Sequence, residues 1–132
     1  MIIVVIYWKI KLGSEHRRAF LDHWEKTLTI PERSHLVGEF LSKPVSAENA
    51  DFPSGLLGLR SSSAYQSFFN VGIWGDMESF KQQVIDPYVG QTPKPEHFEY
   101  EFRERLVLAP VSWRIGQGSL PSCDHFTSQA DI

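Results

Sequence analysis

The sequence lacks the features of a secreted, membrane-spanning or nucleic-acid-binding protein. Cys123 is the only cysteine, so no disulfide can form within the chain and a reducing compartment is expected. Basic residues are not in excess, because 13 lysines and arginines stand against 16 acidic residues. This balance favours neither nucleic acid nor an anionic membrane. The apolar run at residues 2–8 is far shorter than the ~20 residues of a membrane span. We therefore predict a cytoplasmic protein with no nucleic-acid or membrane partner.

Familiar catalytic motifs are missing as well. The sequence contains no phosphate-binding loop and no GxGxxG, HExxH or GxSxG pattern. Cys123 and His125 offer two ligands, whereas a structural zinc needs about four, so we predict no metal and no cofactor. Of the five histidines, His35 and His97 stand next to predicted strands, where a neutral imidazole could act as a general base.

What the sequence does contain is a regular order of strands and helices. Residues 2–12 carry apolar side chains at every even position, which predicts a strand with one fully buried face. A helix follows to about residue 29, with Ser14 as its predicted N-cap. Further strands are predicted at residues 35–42, 66–74 and 98–108, and a second helix is predicted between Asp76 and Pro87. The order βαββαβ indicates a ferredoxin-like α+β fold, an antiparallel sheet with two helices on one face.

The predicted domain covers residues 1–115, and residues 116–132 form a C-terminal arm. Residues 111–115 could add a short fifth strand. Residues 45–64 show no clear periodicity and are long for a loop in a compact domain, so we expect either a mobile lid or a short element.

In the last predicted strand, alternation places the apolar residues on one face and the charged residues on the other; the charged ones are Glu99, Glu101, Arg103 and Arg105. The two arginines could bind an anionic substrate or pair with the two glutamates along an edge strand.

The sheet face away from the helices is predicted to be apolar. We assign Ile3, Val5 and Tyr7 of the first strand to it, together with Phe68 and Trp74 of the third. Water covers that face in a monomer of this fold and favours polar residues there, so an apolar face indicates a partner sheet. A homodimer is the expected solution. The alternative is that the long loop or the C-terminal arm covers the face.

Two segments resemble the dimeric α/β-barrel superfamily, in particular its antibiotic-biosynthesis-monooxygenase-like family. They are residues 4–13, which precede a helix with an inward Trp24, and residues 70–80, a strand, a tryptophan and a helix cap. The resemblance covers residues 2–108. It implies oxidation of aromatic polyketides by O2 without a cofactor, and relatives bind and degrade haem. Asn70 and Trp74 match the spacing of an Asn and a Trp that line the family's pocket.

The resemblance and the residues together give three hypotheses. The first is a cofactor-independent monooxygenase, or a related small enzyme, that acts on an aromatic, enolisable substrate. The second is a non-catalytic homodimer that binds a small molecule or has a structural role, and the third is a haem-binding protein. Phe80 stands where the family has a tyrosine, which removes a proton donor. The predicted catalytic residues are Asn70, Trp74, His35 and His97, and the predicted substrate-binding residues are Tyr7, Phe68, Gly72, Tyr88, Arg103 and Arg105.

Overall fold

The computed structural model describes residues 1–45, 53 and 62–120. The predicted loop at residues 45–64 and the predicted arm at residues 116–132 therefore lie largely outside the described residues. None of the described helices is long and apolar enough to cross a membrane.

The observed elements follow the predicted order. They are β1 (Ile2–Lys11), α1 (Ser14–Lys26), β2 (Leu36–Ser42), β3 (Tyr65–Trp74), α2 (Met77–Phe80) and β4 (Glu99–Leu108). After α2 the chain continues as a π-helical turn, Lys81–Ile85, and a 3-10 turn, Asp86–Tyr88. The predicted cap of the second helix is confirmed, because Asp76 Oδ1 accepts a hydrogen bond from the Ser79 amide at 2.8 Å. The first cap is wrong: Gly13, with φ 109°, is the N-cap residue, and α1 already begins at Ser14.

The four strands form one antiparallel sheet in the order β2-β3-β1-β4. This is the strand order of a ferredoxin-like fold, so the predicted fold class is confirmed. The first strand lies inside the sheet, paired with β3 on one side and with β4 on the other. Its even-numbered residues are all apolar and buried; they are Ile2, Val4, Ile6, Trp8 and Ile10. Phe20 of α1 and Phe80 of α2 belong to the same buried cluster, which places both helices on this inner face.

Aromatic rings hold α1 on the sheet. The ring of Phe20 lies 4.8 Å from that of Trp8, 5.1 Å from that of Phe68 and 5.8 Å from that of Phe98. Full burial of such a side chain stabilises the fold by roughly 1.5–3 kcal/mol. The inner face next to Phe20 is therefore a tightly packed core, and space for a ligand lies farther along the sheet.

The predicted outer-face positions of Phe68 and Trp74 are wrong. Phe68 pairs with Trp8 and Trp74 pairs with Ile2, and directly opposed residues share a sheet face. Both side chains are buried on the helix side, each with 2% of its surface exposed. The outer face of β3 is instead formed by its odd-numbered residues, which include Phe69, Val71 and Ile73. Because β3 is apolar on both faces, alternation alone did not identify the inner one.

The alternation predicted for β4 is wrong at Glu101. Between Tyr7 and Ile10 of β1, the pairing with β4 shifts register twice. Each bulge adds a residue to β4 and changes which face the next side chains occupy. Glu101, opposite Lys9, therefore lies on the outer face, whereas Glu99, opposite Ile10, and Arg105, opposite Ile6, lie on the inner face. Glu99 and Arg103 are buried there, whereas Leu106 on the outer face is 61% exposed. The predicted fifth strand is not formed: residues 111–115 have no strand structure, and Val111 and Ile115 are exposed.

Candidate functional site

A cavity of about 200 Å³ lies between the inner sheet face and the helices. We call it the inner pocket. Its floor is the sheet, with Ile6 and Trp8 in the middle; Trp24 and Leu28 from α1 and the following turn form one wall, and Val84 and Tyr88 from the turns after α2 form the other. The remaining polar residues of the floor are Glu39, Asn70, Arg103 and Arg105.

Cross-strand pairing sets the order of these residues across the floor. Asn70 of β3 is opposite Ile6 of β1, and Ile6 is opposite Arg105 of β4. Glu39 of β2 is opposite Gly72, one step along the same face from Asn70. The pocket therefore has a carboxyl and an amide at its β2–β3 end, an apolar centre, and guanidinium groups at its β4 end.

Four buried polar atoms lack a hydrogen-bond partner among the described residues, and all four belong to residues of this pocket. They are Trp8 Nε1, Asn70 Oδ1, Arg103 Nε and Arg105 Nε. An unsatisfied buried polar group costs roughly 1–3 kcal/mol, and folded proteins contain few of them. The four residues that carry these three donors and one acceptor surround one cavity, which indicates a site shaped for a ligand with polar oxygens.

The β4 end of the pocket carries net positive charge. Arg103 Nη2 donates to Glu99 Oε1 at 2.6 Å, and both side chains are almost fully buried. The Arg103 guanidinium also stacks on the Trp8 ring at 4.0 Å. The Arg105 guanidinium lies 5.2 Å from the centre of the Tyr88 ring, and among the described residues no carboxylate is within ion-pair distance of it. Burial lowers the pKa of Arg105, but a guanidinium stays charged in proteins, so this end attracts an anionic or electron-rich oxygen.

The opposite end contains a carboxyl–amide pair. Asn70 Nδ2 donates to Glu39 Oε1 at 2.6 Å. Burial raises the pKa of the Glu39 carboxyl above its usual range, while the Asn70 hydrogen bond and the charge of Arg33 offset part of this increase. A carboxyl with a raised pKa in a cavity is a candidate acid or base.

Glu39 also borders a second, more open cavity of about 450 Å³. The two cavities share five lining residues, Trp24, Leu28, Thr29, Ile30 and Glu39. We call this second cavity the outer cavity. Because it adjoins the inner pocket along these five shared residues, it provides space for part of a ligand that is larger than the inner pocket.

The structure brings four predicted site residues to the inner pocket: Asn70, Tyr88, Arg103 and Arg105. Gly72, Phe68 and Trp74 share its sheet face but do not line it. Trp74 packs edge-on against Phe80 with ring centres 5.8 Å apart, so it is a core residue here. A Cβ on Gly72 would lie 3.2 Å from Trp74 Nε1, which means that this glycine makes room for the tryptophan.

The other three predicted site residues lie elsewhere. Tyr7 is on the outer face, where it stacks on Phe69 at 4.6 Å and its hydroxyl lies 3.1 Å from that of Ser67. His35 Nδ1 is 3.0 Å from Asp76 Oδ2 at the start of α2, and His97 is exposed beside Phe98. Neither histidine lines the inner pocket, so neither occupies the place of its base.

Sequence reasoning missed Glu39 and Trp8. Glu39 carried one weak signal, because it is the only charged residue in the strand Leu36–Ser42. Its contact with Asn70 depends on the register between β2 and β3, which the sequence did not specify. Trp8 was assigned to the core, and its unpaired indole N–H was not foreseen.

No protein-family model matches the chain, and no curated protein matches it. Among solved structures, the chain is similar to a crystal structure of a substitution mutant of MhuD with two manganese protoporphyrin IX molecules bound per active site. The identity is 16%, the TM-score is 0.47, and the match covers 86% of this chain and 99% of that one.

Proposed function

We propose that this chain is a small enzyme that binds an aromatic, enolisable molecule in the inner pocket and promotes its oxidation by O2 without a cofactor. One observation carries the proposal: Trp8 Nε1, Arg103 Nε and Arg105 Nε are buried donors without partners among the described residues, and all three residues line one cavity. Donors fixed in a buried site stabilise an oxygen on which negative charge develops.

The shape of the floor suits a flat ring system. Its centre is apolar at Ile6, which is 8% exposed, and polar groups stand only at its ends. A ring above this surface would direct its carbonyl or phenolic oxygen to the three donors. The inner pocket is smaller than the roughly 300–1,000 Å³ of drug-sized sites, so a compact ligand, or a larger one that extends into the outer cavity, is the expected occupant.

The reaction proposed follows the resemblance stated above. For anthrone, a tricyclic ketone, loss of a proton from the methylene carbon gives an enolate that reduces O2. The methylene becomes a carbonyl, one O2 is consumed and one water is released, so the product is anthraquinone. The protein supplies the binding surface and the donors that stabilise the enolate oxygen.

Haem is a poorer fit to these residues. Haem iron is held by His, Cys, Met or Tyr side chains, and of these types only Tyr88 lines the inner pocket, where Arg103 Nη1 donates to its hydroxyl at 3.5 Å. The described histidines make their contacts outside this lining. No step of the proposed reaction is therefore assigned to haem.

We also propose that the chain is a homodimer joined through its outer sheet face. This face carries Ile3, Val5, Val71 and Ile73 in its centre and Leu106 and Leu108, which are 61% and 42% exposed, at the β4 side. When one face of an antiparallel sheet is exposed to water, the side chains on that face are usually polar. A continuous apolar patch on such a face marks an interaction surface. A second copy of the same sheet offers a matching surface.

The functional proposal is tested with anthrone as the probe. The measurements are its affinity, by tryptophan fluorescence under argon, and the rate of O2 consumption with an oxygen electrode. Arg105→Gln should lower the turnover by roughly 10- to 100-fold, because a hydrogen bond to a charged group contributes about 1.5–3 kcal/mol. Arg18→Gln, on the exposed side of α1, is the matched control and should equal the parent.

Tight binding without O2 consumption would favour the non-catalytic hypothesis, a homodimer that binds small molecules. No binding of anthrone, naphthols or haem would contradict the assignment of the inner pocket as a ligand site.

A further inference from the structure

We propose that Glu39 is the general base of the inner pocket and removes a proton from a carbon of the bound ring, on the side opposite the guanidinium groups. The inference rests on the proposed function, since it names the residue that generates the enolate. It also defines the substrate class: fused aromatic ketones in which the acidic C–H bond and the oxygen lie on opposite sides of one ring.

The positions of the two ends support this geometry. Glu39 is on β2 and Arg105 is on β4, and β3 and β1 lie between them. Neighbouring strands are about 4.8 Å apart, so the β2 and β4 strands are separated by roughly 14 Å. Both side chains line the same cavity and extend into it, and a ring above Ile6 fills the remaining gap. A proton leaves at one end while the negative charge is stabilised at the other.

The carboxyl of Glu39 is fixed in place. Asn70 Nδ2 holds Oε1 at 2.6 Å, and Asn70 itself is only 3% exposed. Oε1 is thereby occupied, which leaves Oε2 as the oxygen that can accept a proton from the ligand. Asn70 is a positioning residue in this scheme, and its Oδ1, which lacks a partner among the described residues, remains free to accept a hydrogen bond.

The surroundings make Glu39 a stronger base than an exposed glutamate. Burial raises the pKa of its carboxyl, against the lowering effects of Asn70 and Arg33. The charged or titratable groups facing it across the two cavities are Glu25 on α1, Arg33 before β2, Tyr88 after the second helix, and Arg103 and Arg105 on β4. A base whose pKa lies closer to neutral pH transfers protons more effectively than one that titrates at 4.

The step is balanced within the pocket. The C–H bond of the ring methylene breaks, its proton forms an O–H bond with Glu39, and its electron pair moves through the ring to the carbonyl oxygen. That oxygen becomes an enolate held by the N–H donors of Trp8, Arg103 and Arg105. No oxidant is needed for this step, so it can be measured separately from the reaction with O2.

The experiment follows hydrogen–deuterium exchange at the anthrone methylene by proton NMR, in D2O under argon, with the protein-free rate subtracted. Glu39→Gln keeps the shape and the Asn70 contact but cannot take a proton, so the exchange rate should fall by roughly 10²- to 10⁴-fold while anthrone affinity changes less than about threefold. Glu39→Asp should retain a pH-dependent but slower exchange, because its carboxylate is one methylene shorter. Glu101→Gln, an exposed glutamate on the outer face, should behave like the parent.

The pH profile provides a second readout. In the parent, exchange should increase with pH through a single titration above the usual glutamate range, and Glu39→Gln should lose that titration. Exchange at the parental rate in Glu39→Gln, or no exchange in a parent that binds anthrone, would overturn the proposal. Exchange that depends on Glu39 without any O2 consumption would preserve Glu39 as the base and reject the oxygenase function.

Discussion

The buried ion pair between Glu99 and Arg103 gives the sharpest stability prediction. Glu99 accepts three hydrogen bonds, from Arg103 Nη2 at 2.6 Å and from the amides of Arg103 and Glu96 at 3.0 Å each. The side chains of the pair are 0% and 3% exposed. Glu99→Gln removes the negative charge and replaces one acceptor oxygen with a donor, which leaves the Arg103 charge buried and unpaired.

Breaking a buried pair on one side costs about 3–5 kcal/mol. For a domain of this size, that loss lowers the melting temperature by roughly 10–20 °C. The control is Glu101→Gln on the same strand, since Glu101 is 59% exposed and its partner Lys9 also contacts Glu104. An exposed pair contributes at most about 1 kcal/mol, so this variant should melt within a few degrees of the parent.

Urea unfolding followed by far-UV circular dichroism measures both free energies. Adding Arg103→Met to Glu99→Gln should recover part of the loss, because the double variant no longer buries an unpaired charge. If Glu99→Gln loses no more stability than Glu101→Gln, the pair is not buried and the electrostatics assigned to the pocket are wrong.

Two further predictions concern the sheet faces. In sedimentation equilibrium the parent should be a dimer of about twice the 15.1 kDa chain mass. Val5→Glu should convert it to monomers, because it places a carboxylate in an apolar interface. Val89→Glu, at a 73% exposed position, should leave the mass unchanged, and a monomeric parent would refute the interface. Trp74→Phe should lower the free energy of unfolding by about 1–2 kcal/mol, because it leaves space beside Phe80, and it should change anthrone affinity little. Weaker anthrone binding at unchanged stability would show instead that Trp74 lines the ligand site.

The fold was largely predictable because β1 is unambiguous. Its even positions are apolar throughout, and the strand and helix signals that follow occur in one order with a familiar topology. The inner face of β3 was not predictable in the same way, because Phe68 and Phe69 are adjacent and both apolar, and only the pairing with Trp8 shows which one is buried. The bulges in β4 likewise leave no clear signal in the sequence, yet they decide that Glu101 faces outward, away from Glu99 and Arg105.

The candidate site was predicted in part. Asn70, Arg103 and Arg105 were identified as site candidates, whereas His35 and His97 were chosen for their chemistry and lie away from the pocket. Glu39 was missed because its role depends on a carboxyl reaching an amide on the neighbouring strand. Burial, which raises the pKa of Glu39, is a property of the folded chain that residue spacing does not show.

The most direct test of the inner pocket is a ¹H–¹⁵N NMR titration of the tryptophan indole and arginine Nε–H signals with anthrone under argon. The chain has four tryptophans, and single substitutions assign their indole signals. Binding as proposed should shift the signals of Trp8, Arg103 and Arg105 downfield, because each N–H gains an acceptor. The indole of Trp113, which is 53% exposed beyond β4, should not shift. Unchanged signals from Trp8 and both arginines at saturating anthrone would contradict the account.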